Sequence, residues 1–176
     1  MKCVTGIATC MLAVFLIAPA CLALEPGQAP PRVELKGKLG GRLNEKPWSS
    51  SELKGKVSVV FYVDPDVKDL NNPASEALKK AHFPRAKYQS YGIINMASTW
   101  MPNFSISAAL SQKQKSYPDT IYIRDYKRVL VTTWKIADNS SDVLAFDKNG
   151  KLIFEKNGKL SEAEVAKLVK AVSDNL

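Results

Sequence analysis

Asp64, Asp66 and Asp69 place three carboxylates within six residues of one another, and Asn71 and Asn72 follow at once. Oxygen donors at that density can chelate a hard cation such as Ca²⁺. Two carboxylates whose pKa values are pushed apart can instead run general acid–base catalysis. The spacing is not that of an EF-hand loop counted from Asp64. Lys68 takes the fifth position, no glycine takes the sixth, and Ser75 stands at the twelfth, where Glu is needed. Asp and Asn also gather before helices, where they cap the free N–H groups and meet the dipole. Capping is the reading the sequence favours.

The remaining chemistry-bearing residues are sparse. His82 is the single histidine, and it stands at the end of a helical pattern, where a cation suits the dipole. One histidine without a companion cysteine leaves no material for a zinc site or a Ser-His-Asp triad. Ser140 and Ser141 lack the flanking glycines of a nucleophile elbow and read as a loop leading into Asp142. Residues 96–104 put Trp100, Met101 and Phe104 into a strand-to-helix loop. Exposed aromatics and methionines make contact surfaces, but the same residues could fold back over the sheet edge or staple the helix. Trp48 and Trp134 sit in strand or core-entry contexts and are expected in the core.

The first 23 residues address the compartment. Lys2, the apolar run 4–18 and Cys21-Leu22-Ala23 have the layout of a secretory signal peptide, with the cut expected after Ala23. All three cysteines, Cys3, Cys10 and Cys21, fall inside it. A lipoprotein would keep Cys21 as its acylated first residue, although Ala18-Pro19-Ala20 is a poor approach to such a cysteine. Neither form of the exported chain can make an intramolecular disulfide. Losing Lys2 takes the formal charge from +8 to +7. The lysines are spread in pairs beside acids, which describes a solvated surface and no nucleic-acid partner. No segment after residue 23 is expected to cross a membrane. Residues 24–47, rich in Pro, Gly and charge, read as an extended lead-in, and 48–176 as a single domain with one core.

The elements that must position these residues follow in a regular order. Residues 49–56 form a serine-started helical turn closed by glycine. Val57–Val63 is an apolar, β-branched run suited to a strand buried on both faces. Asn72, as cap, and Pro73 begin a helix whose stripe is Ala74, Ala77, Leu78 and Ala81. A second strand covers 88–96, so strand, helix and strand make a parallel βαβ unit. Residues 105–115 read as a helix, and 120–123 and 129–136 as β-rich. Residues 142–146 and 151–154 flank Asn149-Gly150, the strongest short hairpin signal. Ser161 to Glu164 is a capping box, with Val165, Leu168, Val169 and Val172 as the stripe of a last helix. The result is an α/β sandwich, a central mixed β-sheet with helices on both faces.

This order, together with residues 51–57, 146–151 and Gly158, Leu160, Ser161 and Glu164, resembles the thioredoxin-like superfamily, above all its secreted reductase branch. A longer set of motifs is similar to the YtfJ-like family of small exported bacterial proteins. It comprises Trp48, the 53–57 block, Tyr88-Gln89, Ile94-Asn95, Tyr117-Pro118, Trp134, 140–143 and 147–150. The resemblance implies a thioredoxin-like fold, a Gram-negative periplasmic address and no established reaction. Counted on from Phe61, the redox cysteine positions of the superfamily fall on Asp66 and Asp69, and counted back from residues 147–150 its cis-proline position falls on Ser141. Carboxylates cannot exchange disulfides, and a trans peptide is expected before serine. Thiol–disulfide oxidoreductase activity and a cofactor are therefore not expected. Binding of a periplasmic protein or small ligand is. Asp64, Asp66, Asp69, Ser141 and Asp142 form the candidate ligand site, and Trp100, Met101 and Phe104 the candidate contact loop. A metal or acid–base site on Asp64, Asp66 and Asp69 is the alternative.

Overall fold

The computed structural model describes residues 24–176. Residues 1–23, read above as a signal peptide and holding all three cysteines, lie outside the described residues. In chain order the strands and helices are β1 (Glu34–Leu35), β2 (Gly40–Arg42), β3 (Trp48–Ser49), β4 (Val57–Val63), α1 (Asn72–Lys80), β5 (Tyr88–Asn95), α2 (Asn103–Ser116), β6 (Thr120–Asp125), α3 (Val129–Trp134), β7 (Ser141–Phe146), β8 (Leu152–Asn157) and α4 (Glu162–Asp174).

Every residue of β4 is buried, as a run apolar on both sides demands of a central strand. It pairs parallel with β5, from Val57 opposite Tyr88 to Val63 opposite Ile94, and antiparallel with β7, from Ser58 opposite Phe146 to Val63 opposite Ser141. The six-stranded mixed sheet runs β2-β6-β5-β4-β7-β8. The lead-in supplies β2 to its edge, and β1 pairs with β3 in a separate two-stranded ribbon.

Alternation along β4 divides the core into two layers. Val57, Val59, Phe61 and Val63 pack with residues of α1, α2 and α4, including Leu78, Ile106 and Leu168. Val60 and Tyr62 point the other way and pack with Leu35, Trp48, Leu130 and Trp134. Trp48 and Trp134 are fully buried. The capping box of α4 is formed, with Ser161 Oγ accepting from Glu164 N and Glu164 accepting from Ser161 N at 2.8 Å. Among the described residues no helix is long and apolar enough to cross a membrane.

Two local expectations change. Residues 129–134, β-rich in sequence, form the helix α3. Asp125 overrides their β propensity, because its carboxylate accepts from Val129 N at 2.9 Å and Leu130 N at 3.0 Å and so starts the helix. Leu130 and Trp134, four apart, then bury on one face. The cap of α1 also moves back by one residue. Asn71 takes the N-cap position without a side-chain cap bond, and Pro73 follows Asn72 inside the first turn. Asn71 is buried, and its amide instead bonds Ser141 Oγ (3.1 Å) and Gly158 O (3.0 Å) while accepting from Leu160 N (3.0 Å). It thus joins three separate segments, which a helix cap alone would not do.

Candidate functional site

The loop between β4 and α1 opens at the carboxyl end of the parallel strands, where ligands of open α/β sheets gather. A single 3₁₀ turn, Pro65–Val67, carries it outward. Asp66 is exposed and accepts from Thr99 Oγ1 at 3.0 Å, tying this loop to the one that carries Trp100. Asp69 is exposed and accepts from Asn72 Nδ2 at 3.1 Å. Asp64 turns inward instead, with 2% exposure and no hydrogen-bond partner on either carboxylate oxygen. The three carboxylates therefore do not converge. Among the described residues no group of three His, Cys, Asp or Glu side chains is arranged to hold a metal ion.

Ser141 and Asp142 part company for the same reason that strands have two faces. Ser141 is buried on the α1 side under the amide of Asn71, and no peptide bond among the described residues is cis. Asp142 lies opposite Tyr62 and is buried on the α3 side. There it joins Asp64 in a polar cluster at the end of the sheet. Tyr62 donates its hydroxyl to Asp125 Oδ2 at 3.2 Å, and Asp125 Oδ1 also accepts from Lys127 N at 3.1 Å. Asn95 donates to Asp138 Oδ1 at 2.9 Å, and Arg128 pairs with Asp138 at 3.0 Å.

Burial dominates the electrostatics of this cluster. It pushes the Asp142 carboxyl up to about 7, the Ala137 backbone moderating the rise and the charges of Glu155 and Asp64 adding to it. It raises Asp64 as well, while Ser98, Asn95 and the Ser140 backbone moderate the rise without reaching hydrogen-bond geometry. Tyr62 is driven up by burial and then by Asp125. Burial thus favours the protonated forms of Asp64 and Asp142 and at the same time seals them from solvent. Sequence reasoning missed Tyr62, Asn95, Asp125 and Asp138. The usable signal was period-two alternation on three strands, which puts residues 62, 64, 93, 95, 123 and 125 on one face once the register is known.

In the loop of residues 96–104 the two expectations are divided between residues. Met96 is buried and Met101 half-buried against the α1–α2 layer, so the methionines fold back. Trp100 and Phe104 do not, at 87% and 77% exposure, and Phe104 belongs to the first turn of α2 rather than to the loop, because the helix starts at Asn103. Thr99 fixes the loop from both sides, donating to Asp66 and accepting from Met101 N at 3.2 Å.

Beneath this loop α1 and α2 stand apart over the sheet and leave a groove of about 890 Å³. Gly92 is part of its floor, and a Cβ there would lie 2.8 Å from the Tyr122 ring. Glycine is thus what allows that ring to lie flat against β5.

Strand order and helix placement define a thioredoxin-like fold, and the loop at the end of β4 carries Asp64, Asp66 and Asp69 and no cysteine. Among solved structures the chain is similar to the thioredoxin domain of a thiol-disulfide oxidoreductase from Bacteroides vulgatus (TM-score 0.62, 16% identity, 84% of this chain and 97% of that one). It is also similar to the pneumococcal exposed lipoprotein thioredoxin of Streptococcus pneumoniae (TM-score 0.53, 17% identity, 80% and 98%). Residues 31–175 match the family described as bacterial protein of unknown function (YtfJ_HI0045), and the chain belongs to it. Relatives include the uncharacterized protein YtfJ of Escherichia coli K12, 28% identical over 88% of this chain and 93% of that protein. An uncharacterized protein of Haemophilus influenzae is 32% identical over 73% and 71% respectively.

Proposed function

We propose that the chain is an exported, non-redox thioredoxin-like module that binds a protein in the periplasm with the rim at the carboxyl ends of β4 and β5. One observation carries the reading: Trp100, on a loop pinned to Asp66 through Thr99, and Phe104, in the first turn of α2 just after it, stand in solvent. Large apolar side chains held out by a fixed loop are the anchors from which contact surfaces are built. The thioredoxin-like frame supports it, since residues 64–72 occupy the place where redox relatives do their chemistry, and no cysteine follows residue 21. In this proposal residues 1–23 are the signal peptide, 24–47 the lead-in and 48–176 the working domain.

The acid–base alternative shifts from Asp66 and Asp69 to Asp64 with Asp142, the only pair in the candidate set that shares a buried pocket of polar groups. Both are at most 2% exposed, so a substrate could reach them only after the loop opened. The rim needs no such step.

The test is retention from periplasmic extract on the immobilised chain, compared between the parent and Trp100→Ala. A discrete partner held by the parent and lost in the variant is expected. An unchanged set of retained proteins would sink the loop's role.

A further inference from the structure

We infer that the groove between α1 and α2 is a binding site for an amphipathic anion, an unbranched hydrocarbon chain ending in a carboxylate or phosphate. This goes beyond the partner rim and stands separately from it. The floor and walls are apolar along the strands: Phe61, Val63, Ile94, Ile106, Leu110 and Tyr122 all line it. Its volume, about 890 Å³, lies near the upper end for small-molecule sites. With β5 lining it from Tyr88 to Ile94, the trough is about 20 Å long at the usual strand rise. Length and an apolar floor select a chain-like ligand over a compact polar one.

Charge gives that ligand a direction. Topology brings the carboxyl-terminal turns of α1 and α2 and the starts of β4, β5 and β6 to one end. That end is lined by Lys56, Lys79, His82, Arg85 and Lys113. Among the described residues Asp119 is the only acid lining the groove, and Arg85 already pairs with it. Nearby Glu76 is engaged by the Tyr117 hydroxyl at 2.6 Å. Lys79 lies 4.9 Å from the Tyr117 ring, and neither Lys79 nor Lys113 forms an ion pair among the described residues. The helix ends add only a partial negative charge, which cations in a last turn commonly answer. A chain lying on the Phe61–Tyr122 floor with its anionic head between Lys79 and Lys113 satisfies both halves of the groove. A cationic or zwitterionic head would not.

Titration calorimetry with decanoate, and with decyltrimethylammonium as the same chain carrying the opposite charge, reads this directly. Decanoate should bind more tightly than about 1 mM and at least tenfold more tightly than the cation. Ala109→Trp fills the groove from an exposed α2 position without removing a core contact. It should weaken decanoate at least tenfold, as should Lys79→Glu with Lys113→Glu, all variants melting within a few degrees of the parent. Sedimentation with phosphatidylglycerol vesicles separates the sources. Retention that Ala109→Trp abolishes identifies a membrane lipid as the donor of the chain, and decanoate binding without retention identifies a free acid. Equal binding of the two probes, indifference to both variants, or vesicle retention alone that survives Ala109→Trp would overturn the assignment. Any of these results leaves the Trp100 reading untouched, since Trp100 does not line the groove.

Discussion

Asp125→Ala should lower the unfolding free energy by about 3–5 kcal/mol, the range reached when a buried hydrogen-bond network is broken. Asp125 is fully buried and accepts from the Tyr62 hydroxyl and from the backbone N–H groups of Lys127, Val129 and Leu130. Alanine leaves the Tyr62 hydroxyl and the Leu130 N–H unpaired in the interior and those of Lys127 and Val129 unpaired nearer the surface, at about 1–3 kcal/mol for each that finds no water. It also removes the start signal of α3, whose Val and Thr residues would otherwise favour an extended chain. Trp134 sits on that helix and donates its indole N–H to Pro31 O at 2.8 Å, so unravelling α3 loosens the lead-in too. Urea denaturation monitored by tryptophan fluorescence measures the loss, and Asp125→Asn should give an intermediate value. A loss below about 1 kcal/mol would mean that α3 stands without its cap.

Stability should also fall as pH rises from about 4 to 7, contrary to the usual behaviour of carboxylates. Asp142 titrates near 7 in the folded chain, against about 3.9 when unfolded. Below pH 4 both states hold the proton and no difference arises. Between the two values the unfolded chain releases its proton while the folded chain keeps it, so the unfolded state gains. Above pH 7 both are ionised and the profile flattens. The whole step is at most roughly 4 kcal/mol, and Asp64, raised by the same burial, adds with the same sign. Glu164 acts oppositely. Lys156 and the Ser161 N–H hold its carboxyl down to about 2, so its contribution is present above the ordinary carboxylate range and is lost toward pH 2. Asp142→Asn should remove most of the slope and stabilise the chain at pH 7–8 by a few kcal/mol in chemical denaturation. An unchanged slope would place the raised carboxyl elsewhere.

The first effect involves Asp125, which the sequence did not mark, whereas the second involves Asp142, which was a candidate site residue from the start. The central strand was legible because Val57–Val63 admits no solvent-facing alternative, and the parallel βαβ unit followed from helix-length spacing. Residues 149–150 and 161–164 carry local rules that need no tertiary contact, and both hold. Residues 129–134 misled because β-branched side chains dominate them, whereas their helix is started by a carboxylate on the preceding strand. The spacing Asp64, Asp66, Asp69 left convergence open as the alternative to capping, yet a strand end followed by a 3₁₀ turn sends the first inward and the other two outward. The buried cluster needed the register of β4, β5, β6 and β7 together. Phe104 falls in the first turn of α2 instead of the loop. Trp100 was legible as a loop residue but not as exposed, because chain order does not say which way a loop side chain turns. Nor does it say that α1 and α2 stand apart, although Gly92 in the middle of a strand marks a close approach.

The central claim is that this thioredoxin-like chain acts through contact at the rim rather than through thiols. In-cell photo-cross-linking tests it most directly, with p-benzoylphenylalanine in place of Trp100 and, as control, in place of Lys148 on the hairpin at the opposite end of β4. A discrete adduct at position 100, insensitive to reductant and absent at 148, is the expected result. The same diffuse pattern at both positions, or no adduct at 100, would contradict it.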